Sequence, residues 1–148
     1  MTAVGALSAQ EGGVQFENTL RGAAKKARET GKMVFVDVYT TWCGHCTRMT
    51  ANVFPAEKTG AYLREHFVSV KIDADQEEWI KGAYGVRSYP TFLLLADDGR
   101  TLLAHDSSVQ ATPDAFIRRM EALRTEAAPT LAEYRKKQAE KAAKKDRK

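Results

Sequence analysis

MVFVDVYTTWCGHCTRMTANVF, at residues 33–54, is the most informative part of this 148-residue chain. Its first seven residues are rich in β-branched and aromatic side chains and predict a strand, whereas residues 47–54 can form a helix. Between them lies WCGHC, which contains Cys43 and Cys46, the only two cysteines of the chain. The order of strand, tight turn and helix therefore predicts a dithiol at the start of a helix.

The placement of Cys43 and Cys46 favours redox chemistry. The first N–H groups of a helix lack intrahelical partners and its dipole is positive there, so a thiolate at Cys43 is stabilised and Cys43 is the predicted nucleophile. Residues three apart share a helix face at about 5–6 Å, so Cys46 can close a disulfide with it. A purely structural disulfide or two buried thiols is the alternative, but so short a loop gives little entropic stabilisation.

Several further segments resemble the thioredoxin superfamily over about residues 14–124. Asp37 stands six residues before Cys43, as the buried acid does in thioredoxins. YPT at residues 89–91 is similar to the loop that carries the family's cis-proline. FLLLADDGR at residues 92–100 is similar to its central strand and hairpin turn. Because these pieces match in order, the resemblance extends beyond the Cys-x-x-Cys spacing.

Three motifs resemble the small thioredoxin-like proteins of Bacteroidetes type. They are YTTWC at residues 39–43, FPAEK at residues 54–58 and YGVRSYPTF at residues 84–92. The CGHC motif differs from the usual thioredoxin dipeptide and is typical of protein disulfide isomerases. The chain is therefore expected to be a thiol–disulfide oxidoreductase of this group with an isomerase-like motif.

Strands that alternate with helices predict an α/β protein. The resemblance implies a thioredoxin fold, with a central mixed β-sheet flanked by helices and a basic helical C-terminal tail. The predicted parts are a flexible N-terminal segment (1–13), a thioredoxin-like domain (14–126) and a basic tail, helical or disordered (127–148). Residues 92–95 and 101–103 predict an antiparallel hairpin across an Asp-Gly turn. Helices are predicted at 18–29, at 55–63, at 77–83 and from Thr112 onward.

Composition and charge agree with one folded domain. Hydrophobic residues make up 43% of the chain, enough for a single core, and no apolar run approaches the about 20 residues that cross a membrane. Residues 135–148 hold eight Lys or Arg against two acids, a net charge of +6, whereas the whole chain carries +4. This segment lacks the interleaved aromatics of a nucleic-acid-binding surface. We expect a solvated helix or linker there, no nucleic-acid partner, and a monomer.

Two residues beside the cysteines are expected to tune the dithiol. Trp42 is predicted to form an apolar lip beside the reactive sulfur, to cover the core, or both. His45 offers a donor or a positive charge that stabilises reduced Cys43, which makes the disulfide a better oxidant. The alternative for His45 is an ordinary exposed loop histidine.

Asp37 and Lys71 are the predicted proton-handling pair. Asp37 lies among apolar residues of the predicted central strand, where an isolated carboxylate is costly and tends to hold its proton. The resemblance implies that Asp37 moves a proton to and from Cys46 and that Lys71 is its partner. The alternative is an ordinary ion pair at a strand end.

Trp42, Tyr89, Pro90 and Thr91 are the predicted substrate-binding residues. The resemblance implies a cis bond before Pro90, which would place Tyr89 and the loop backbone against Cys43. Main-chain groups of this loop would then pair with an extended substrate, as in strand addition. Tyr89 is larger than the residues common at this position, so the substrate preference is open.

The predicted function is exchange of dithiol and disulfide with protein substrates through Cys43 and Cys46, in an isomerase- or reductase-like direction. The alternative is a non-catalytic thioredoxin-fold adaptor or chaperone. The predicted cofactor set is empty apart from the redox-active disulfide, with an unidentified redox partner. A zinc site is disfavoured, because a structural site wants four ligands and the chain has no second cysteine pair.

The expected compartment follows from the chemistry. Oxidising chemistry suits the periplasm, and the related Bacteroidetes-type proteins are typically exported, so a periplasmic or other extracytoplasmic location is expected. Residues 1–13 lack the pattern of a secretory leader, and residues 6–10 are interpreted as a possible remnant of one. A longer precursor is therefore expected, with a cytoplasmic location as the alternative.

Overall fold

One mixed five-stranded sheet organises the computed structural model, which describes residues 12–147. The strands in chain order are β1 (Phe16–Glu17), β2 (Met33–Tyr39), β3 (Phe67–Asp73), β4 (Thr91–Leu95) and β5 (Leu102–Asp106). Their order across the sheet is β1-β3-β2-β4-β5. Parallel pairing joins β1 to β3 and β3 to β2, whereas β4 is antiparallel to β2 and β5 to β4. The predicted mixed sheet and hairpin are confirmed.

Five helices connect or follow these strands in the described residues. They are α1 (Leu20–Thr30), α2 (Gly44–Asn52), α3 (Glu57–His66), α4 (Trp79–Tyr84) and α5 (Pro113–Asp146). Thr19 caps α1 by accepting the Gly22 N–H, and Gly31 ends the helix in the left-handed conformation that glycine adopts without a steric penalty. None of the helices in residues 12–147 combines the length and the apolarity that crossing a bilayer requires.

The predicted helices are present with shifted bounds. The dithiol helix begins at Gly44, immediately after Cys43, whose side chain caps it, and ends at Asn52 instead of residue 54. Helix α3 begins two residues after Pro55, and α4 begins at Trp79 instead of residue 77. The predicted N-terminal segment 1–13 lies outside the described residues except for Gly12 and Gly13.

Alternation along β2 divides the core into two clusters on opposite faces of the sheet. Phe35 belongs to the cluster packed by α2, α3 and α5, which contribute Met49, Leu63 and Phe116. The valines of β2 belong to the other cluster, which α1 and α4 cover. Asp37 is two residues after Phe35, so it faces the first cluster, beneath the helix that carries the dithiol.

Helix α5 continues past residue 126, where the domain was predicted to end. Leu123 and Ala127 are buried, and Leu131 and Tyr134 pack against the same cluster, so an apolar stripe with helical spacing crosses that position. The Tyr134 hydroxyl also donates to Asp97 Oδ1 at 2.7 Å. Pro129 lies inside the helix on its exposed side. The packed stripe offsets the destabilisation that a proline brings to a helix interior.

Removal of residues 136–148 is expected to shift the unfolding midpoint by no more than about 2 °C, because every side chain from 136 to 147 is exposed. Removal of residues 131–148 also deletes Leu131 and Tyr134 and is expected to lower the midpoint by about 5–10 °C. Thermal melts of the two truncations measure the difference. Equal melting temperatures would contradict a structural role for these two residues.

Candidate redox site

Cys43 and Cys46 occupy the first turn of α2 as free thiols. Cys43 is the N-cap, and its Sγ accepts the Cys46 N–H at 3.1 Å. Both side chains are almost buried, with 6% and 7% of their surface exposed. The sulfur of Cys43 therefore lies where unpaired N–H groups and the positive end of the helix dipole favour an anion. The predicted position at a helix start is confirmed.

The loop before β4 lies against the Cys43 sulfur. Cys43 Sγ donates to the Tyr89 carbonyl oxygen at 3.3 Å. The Tyr89–Pro90 peptide bond is cis, as the resemblance implied. The main chain of this loop is thus in hydrogen-bond contact with the predicted nucleophile.

Trp42 projects into solvent beside Tyr89. Its side chain is 69% exposed, and its ring meets the Tyr89 ring edge-on at 5.7 Å between centroids. Its Nε1–H donates to Asp75 Oδ2 at 2.8 Å. The prediction that Trp42 covers the core is therefore wrong, because Asp75 and Tyr89 hold the indole at the surface. The apolar lip beside the reactive sulfur stays a prediction, with the ring held edge-on against Tyr89.

Asp37 is buried without a complete set of partners. It is 3% exposed, and its Oδ1 has no hydrogen-bond partner within residues 12–147. Burial raises the pKa of Asp37 to about 7, and the positive charge of Lys71 partly opposes that rise. Asp37 therefore exchanges its proton near neutral pH.

The Cys46 thiol is held in its protonated form. Burial raises the pKa of Cys46 to about 12, and the hydrogen bond with Cys43 and the nearby charge of Asp37 act in the same direction, against a backbone hydrogen bond from Thr40. Cys46 thus needs a base before it can attack a disulfide. The carboxyl of Asp37 is close enough for its charge to act on this thiol.

Lys71 is beside Asp37 in the sheet but does not touch it. The two residues are in register on β3 and β2. Lys71 Nζ lies 3.4 Å from Thr50 Oγ1 and 4.6 Å from the centre of the Tyr39 ring. No ion pair within 4.0 Å joins Lys71 to a carboxylate in the described part of the chain. Lys71 acts on Asp37 through its charge, and the alternative of an ordinary ion pair is wrong.

Residues 20–124 match the sequence profile of the Thioredoxin-like domain, which covers more than half of the chain. The chain belongs to the thioredoxin-like family. Thioredoxin-2 of Pyricularia oryzae is 36% identical over 89 residues, which are 60% of this chain and 47% of that protein. A structure of a candidate disulphide-isomerase from Bacteroides thetaiotaomicron is 28% identical with a TM-score of 0.64, and the match covers 74% of this chain and 92% of that one.

A disulfide isomerase is also among the relatives of this thioredoxin-like chain. Protein disulfide isomerase-like 5-2 of Oryza sativa subsp. japonica is 38% identical over 61 residues, which are 41% of this chain and 14% of that protein. The chain spans less than half the length of this relative and of Thioredoxin-2. Together these relatives support thiol–disulfide oxidoreductase chemistry in general.

Thr91 and Pro90 differ from the other predicted substrate-binding residues, because both are buried. The Thr91 hydroxyl donates to the Ser88 carbonyl at 2.7 Å and lies 3.0 Å from Ser107 Oγ. These contacts hold the side chain within the thioredoxin-like domain. Of the four predicted substrate-binding residues, only Trp42 and Tyr89 are therefore accessible from solvent.

His45 is exposed and faces Arg48, a residue that the sequence had not singled out. Its Nδ1 contacts Arg48 Nη2. Because a guanidinium is charged at all relevant pH and only donates, Nδ1 accepts in this contact. Within residues 12–147, His45 makes no hydrogen bond to Cys43. The signal for the contact was the spacing of three on a helix, which places two side chains on one face.

Proposed function

We propose that this protein exchanges dithiol and disulfide with protein substrates through Cys43 and Cys46. The observation that carries the proposal is the position of Cys43 Sγ, which caps α2 and is 3.3 Å from the Tyr89 carbonyl. A nucleophilic sulfur, a resolving cysteine one turn away and a backbone edge for the substrate thus meet at one point. This arrangement suits reversible exchange more than a structural cross-link.

In the first step, the Cys43 thiolate attacks one sulfur of a substrate disulfide. A mixed disulfide forms and the other substrate sulfur leaves with the electron pair. Cys46 then attacks Cys43 Sγ and releases the second substrate sulfur as a thiolate. The substrate has gained two electrons and the protein holds the Cys43–Cys46 disulfide. The reverse sequence donates a disulfide, and an external dithiol or disulfide resets the protein.

Asp37 takes the proton that Cys46 must lose in the second step. Burial raises the pKa of Cys46 to about 12 and the pKa of Asp37 to about 7. Both groups are therefore neutral in the resting dithiol below about pH 7. Ionised Asp37 accepts the thiol proton as the Cys46 sulfur begins to form its bond. Lys71 stabilises the ionised carboxylate through its charge.

We propose an isomerase-like redox poise on the basis of the CGHC motif. Typical potentials are about −270 mV for thioredoxin and about −180 mV for protein disulfide isomerase, and 30 mV corresponds to about 1.4 kcal/mol for this two-electron couple. The gap of roughly 4 kcal/mol is within reach of a charge-assisted hydrogen bond plus the helix dipole acting on a thiolate. The wild type is expected near the isomerase value.

Replacement of His45 by proline is expected to move the potential toward the thioredoxin value, because the variant loses the imidazole of the CGHC motif and leaves the first turn of α2 to stabilise the Cys43 thiolate alone. Equilibration against a series of glutathione ratios, with alkylation of the free thiols, measures both potentials. His66→Ala, a histidine on α3, is the matched control and is expected to leave the potential unchanged. A wild type already at the thioredoxin value, or a His45→Pro variant with an unchanged potential, would return the proposal to a general disulfide reductase.

The alternative function is a thioredoxin-fold adaptor that binds proteins without turnover. An adaptor would retain full binding when both cysteines are replaced by serine, and insulin would not be reduced by the wild type. The oxidoreductase is expected to reduce insulin with repeated turnover in the presence of dithiothreitol. Turnover by the wild type and none by the double serine variant would exclude the adaptor.

A further inference from the structure

We propose that Arg48 and Arg87 select substrates in which acidic residues flank the reacting disulfide. This inference rests on the proposed function, because it names the substrate class of the same site. The two arginines belong to different segments, α2 and the loop before β4, and these segments meet at Cys43. Their charges are the basis of the selection.

Arg48 lies over the two residues that separate the cysteines. Its Nη2 contacts His45 Nδ1, and its Nη1 is 3.5 Å from the position that a Cβ on Gly44 would occupy. The guanidinium therefore lies against the first turn of α2. The contact with His45 holds the group in place before a substrate arrives, so less side-chain entropy is lost on binding.

Arg87 is exposed and precedes Tyr89 by two residues. The Tyr89 carbonyl accepts from Cys43 Sγ, so Arg87 lies in the loop that directly contacts the reactive sulfur. A substrate extended along this loop would therefore pass close to position 87. The two arginines thus belong to the two segments that meet at Cys43.

Neither arginine has a carboxylate partner within 4.0 Å in residues 12–147. The acid beside the Trp42 lip is Asp75, which accepts from Trp42 at 2.8 Å and lies 3.8 Å from Lys81 Nζ. Asp75 is therefore already paired. The charges of Arg48 and Arg87 remain available to an incoming carboxylate.

Arginine suits carboxylate recognition because its planar guanidinium offers two parallel N–H donors. At exposed positions such a pair has a modest effect, and we expect about a two- to fivefold gain in kcat/KM per arginine. The gain should fall in high salt, because exposed charges are screened over a few ångströms at 1 M. A lysine next to the substrate disulfide should have the opposite effect.

The test uses the reduced 148-residue chain and three synthetic peptides. Each peptide carries one cysteine joined by a disulfide to 5-thio-2-nitrobenzoate, flanked on both sides by Glu, Gln or Lys. Cys43 attacks the peptide sulfur, coloured nitrobenzoate thiolate leaves, and Cys46 then releases the peptide thiol. Reduced protein in excess supplies the two electrons. The rate of each peptide with free dithiothreitol corrects for its intrinsic reactivity.

The variants are Arg48→Gln, Arg87→Gln and the double replacement, with Arg48→Lys to retain charge. Arg21→Gln is the matched control. Arg21 is also an exposed arginine, but it lies in the first turn of α1, outside the two segments that meet at Cys43. We expect kcat/KM for the Glu peptide to fall about two- to fivefold in each glutamine variant. The rate with the Gln peptide should stay unchanged. Arg48→Lys should retain most of the preference, and Arg21→Gln all of it.

The inference would be overturned if the wild type shows no preference for the Glu peptide, or if the preference survives in the double variant. In either case, turnover of the Gln peptide would leave the proposed function intact. Absence of turnover with all three peptides would overturn both. Loss of preference in the double variant, together with an unchanged rate for the Gln peptide, would establish the role of the two arginines.

Discussion

Replacement of Cys43 by serine is expected to slow insulin reduction by on the order of a thousandfold, to the rate of the protein-free reaction. A hydroxyl at this position is not ionised at neutral pH and cannot form a disulfide. The backbone contacts that a hydroxyl can make at the N-cap of α2 remain available, so the fold should persist. Insulin turbidity with dithiothreitol measures the activity, and circular dichroism measures the fold.

Cys46→Ser is the matched control for this replacement, because it removes the other thiol of the same turn. This variant retains the nucleophile and is expected to react once with a substrate disulfide without completing the cycle. Equal insulin reduction by the wild type and Cys43→Ser would contradict the assignment of Cys43 as the nucleophile.

Replacement of Asp37 by asparagine is expected to slow release of the mixed disulfide by roughly a hundredfold above pH 7. The amide cannot accept the proton that Cys46 must lose, and the pKa of Cys46 is raised to about 12 by burial. In the wild type the rate should rise as pH passes through about 7, where Asp37 ionises. Stopped-flow measurement of the second step between pH 5.5 and 8.5 gives both profiles. An unchanged profile in Asp37→Asn would remove Asp37 from the mechanism.

The same replacement is expected to change the pH dependence of stability. Because burial raises the Asp37 pKa from 3.8 to about 7, the folded protein binds a proton in this window that the unfolded chain has lost. Stability is therefore lost as pH rises from about 4 through about 7, with a total of about 4 kcal/mol at most. The asparagine variant has no carboxyl to ionise at this position. Its free energy of unfolding, relative to that of the wild type, should therefore rise with pH.

Urea unfolding at pH 4.5 and pH 8 measures this dependence. Glu29→Gln, which removes an exposed carboxyl near the end of α1, is the control and should follow the wild type. If Asp37→Asn and the wild type differ by the same free energy at both pH values, then Asp37 does not titrate in this window.

The sheet and the position of the dithiol were predictable because their signals are local. The apolar run of β2 and the cysteine spacing after it place the strand, the turn and the helix without tertiary information. The buried state of Asp37 also followed, since a single acid in an apolar strand faces one side of a covered sheet. Its pairing in register with Lys71 required the parallel order of β2 and β3, which the resemblance supplied.

The predicted helical C-terminal tail is confirmed, because α5 runs to Asp146, but the composition of the tail did not indicate that its first turns pack against the core. The spacing of Leu123, Ala127, Leu131 and Tyr134 was a readable signal for a helix that continues along the core. A single proline on the solvent side of a helix costs less than the packing that such a stripe provides. Side-chain spacing, and not composition, therefore marks where the helix packs against the core.

Trp42 and Arg48 show what the sequence alone did not reveal. The position of the Trp42 ring depends on Asp75, which is 33 residues away along the chain. The Arg48 contact with His45 depends on the rotamer of a long exposed side chain beside a glycine. Both are decided by three-dimensional neighbours, whereas the strand and helix patterns are decided by sequence periodicity.

The most direct test of the account is to identify the disulfide formed when reduced Cys46→Ser protein meets an oxidised protein substrate. Mass spectrometry of the non-reduced tryptic digest locates the cross-link. We predict one stable mixed disulfide per molecule, joined through Cys43, which dithiothreitol releases. An absence of any mixed disulfide with a folded, fully reduced variant would contradict the central claim that Cys43 attacks substrate disulfides and Cys46 resolves them.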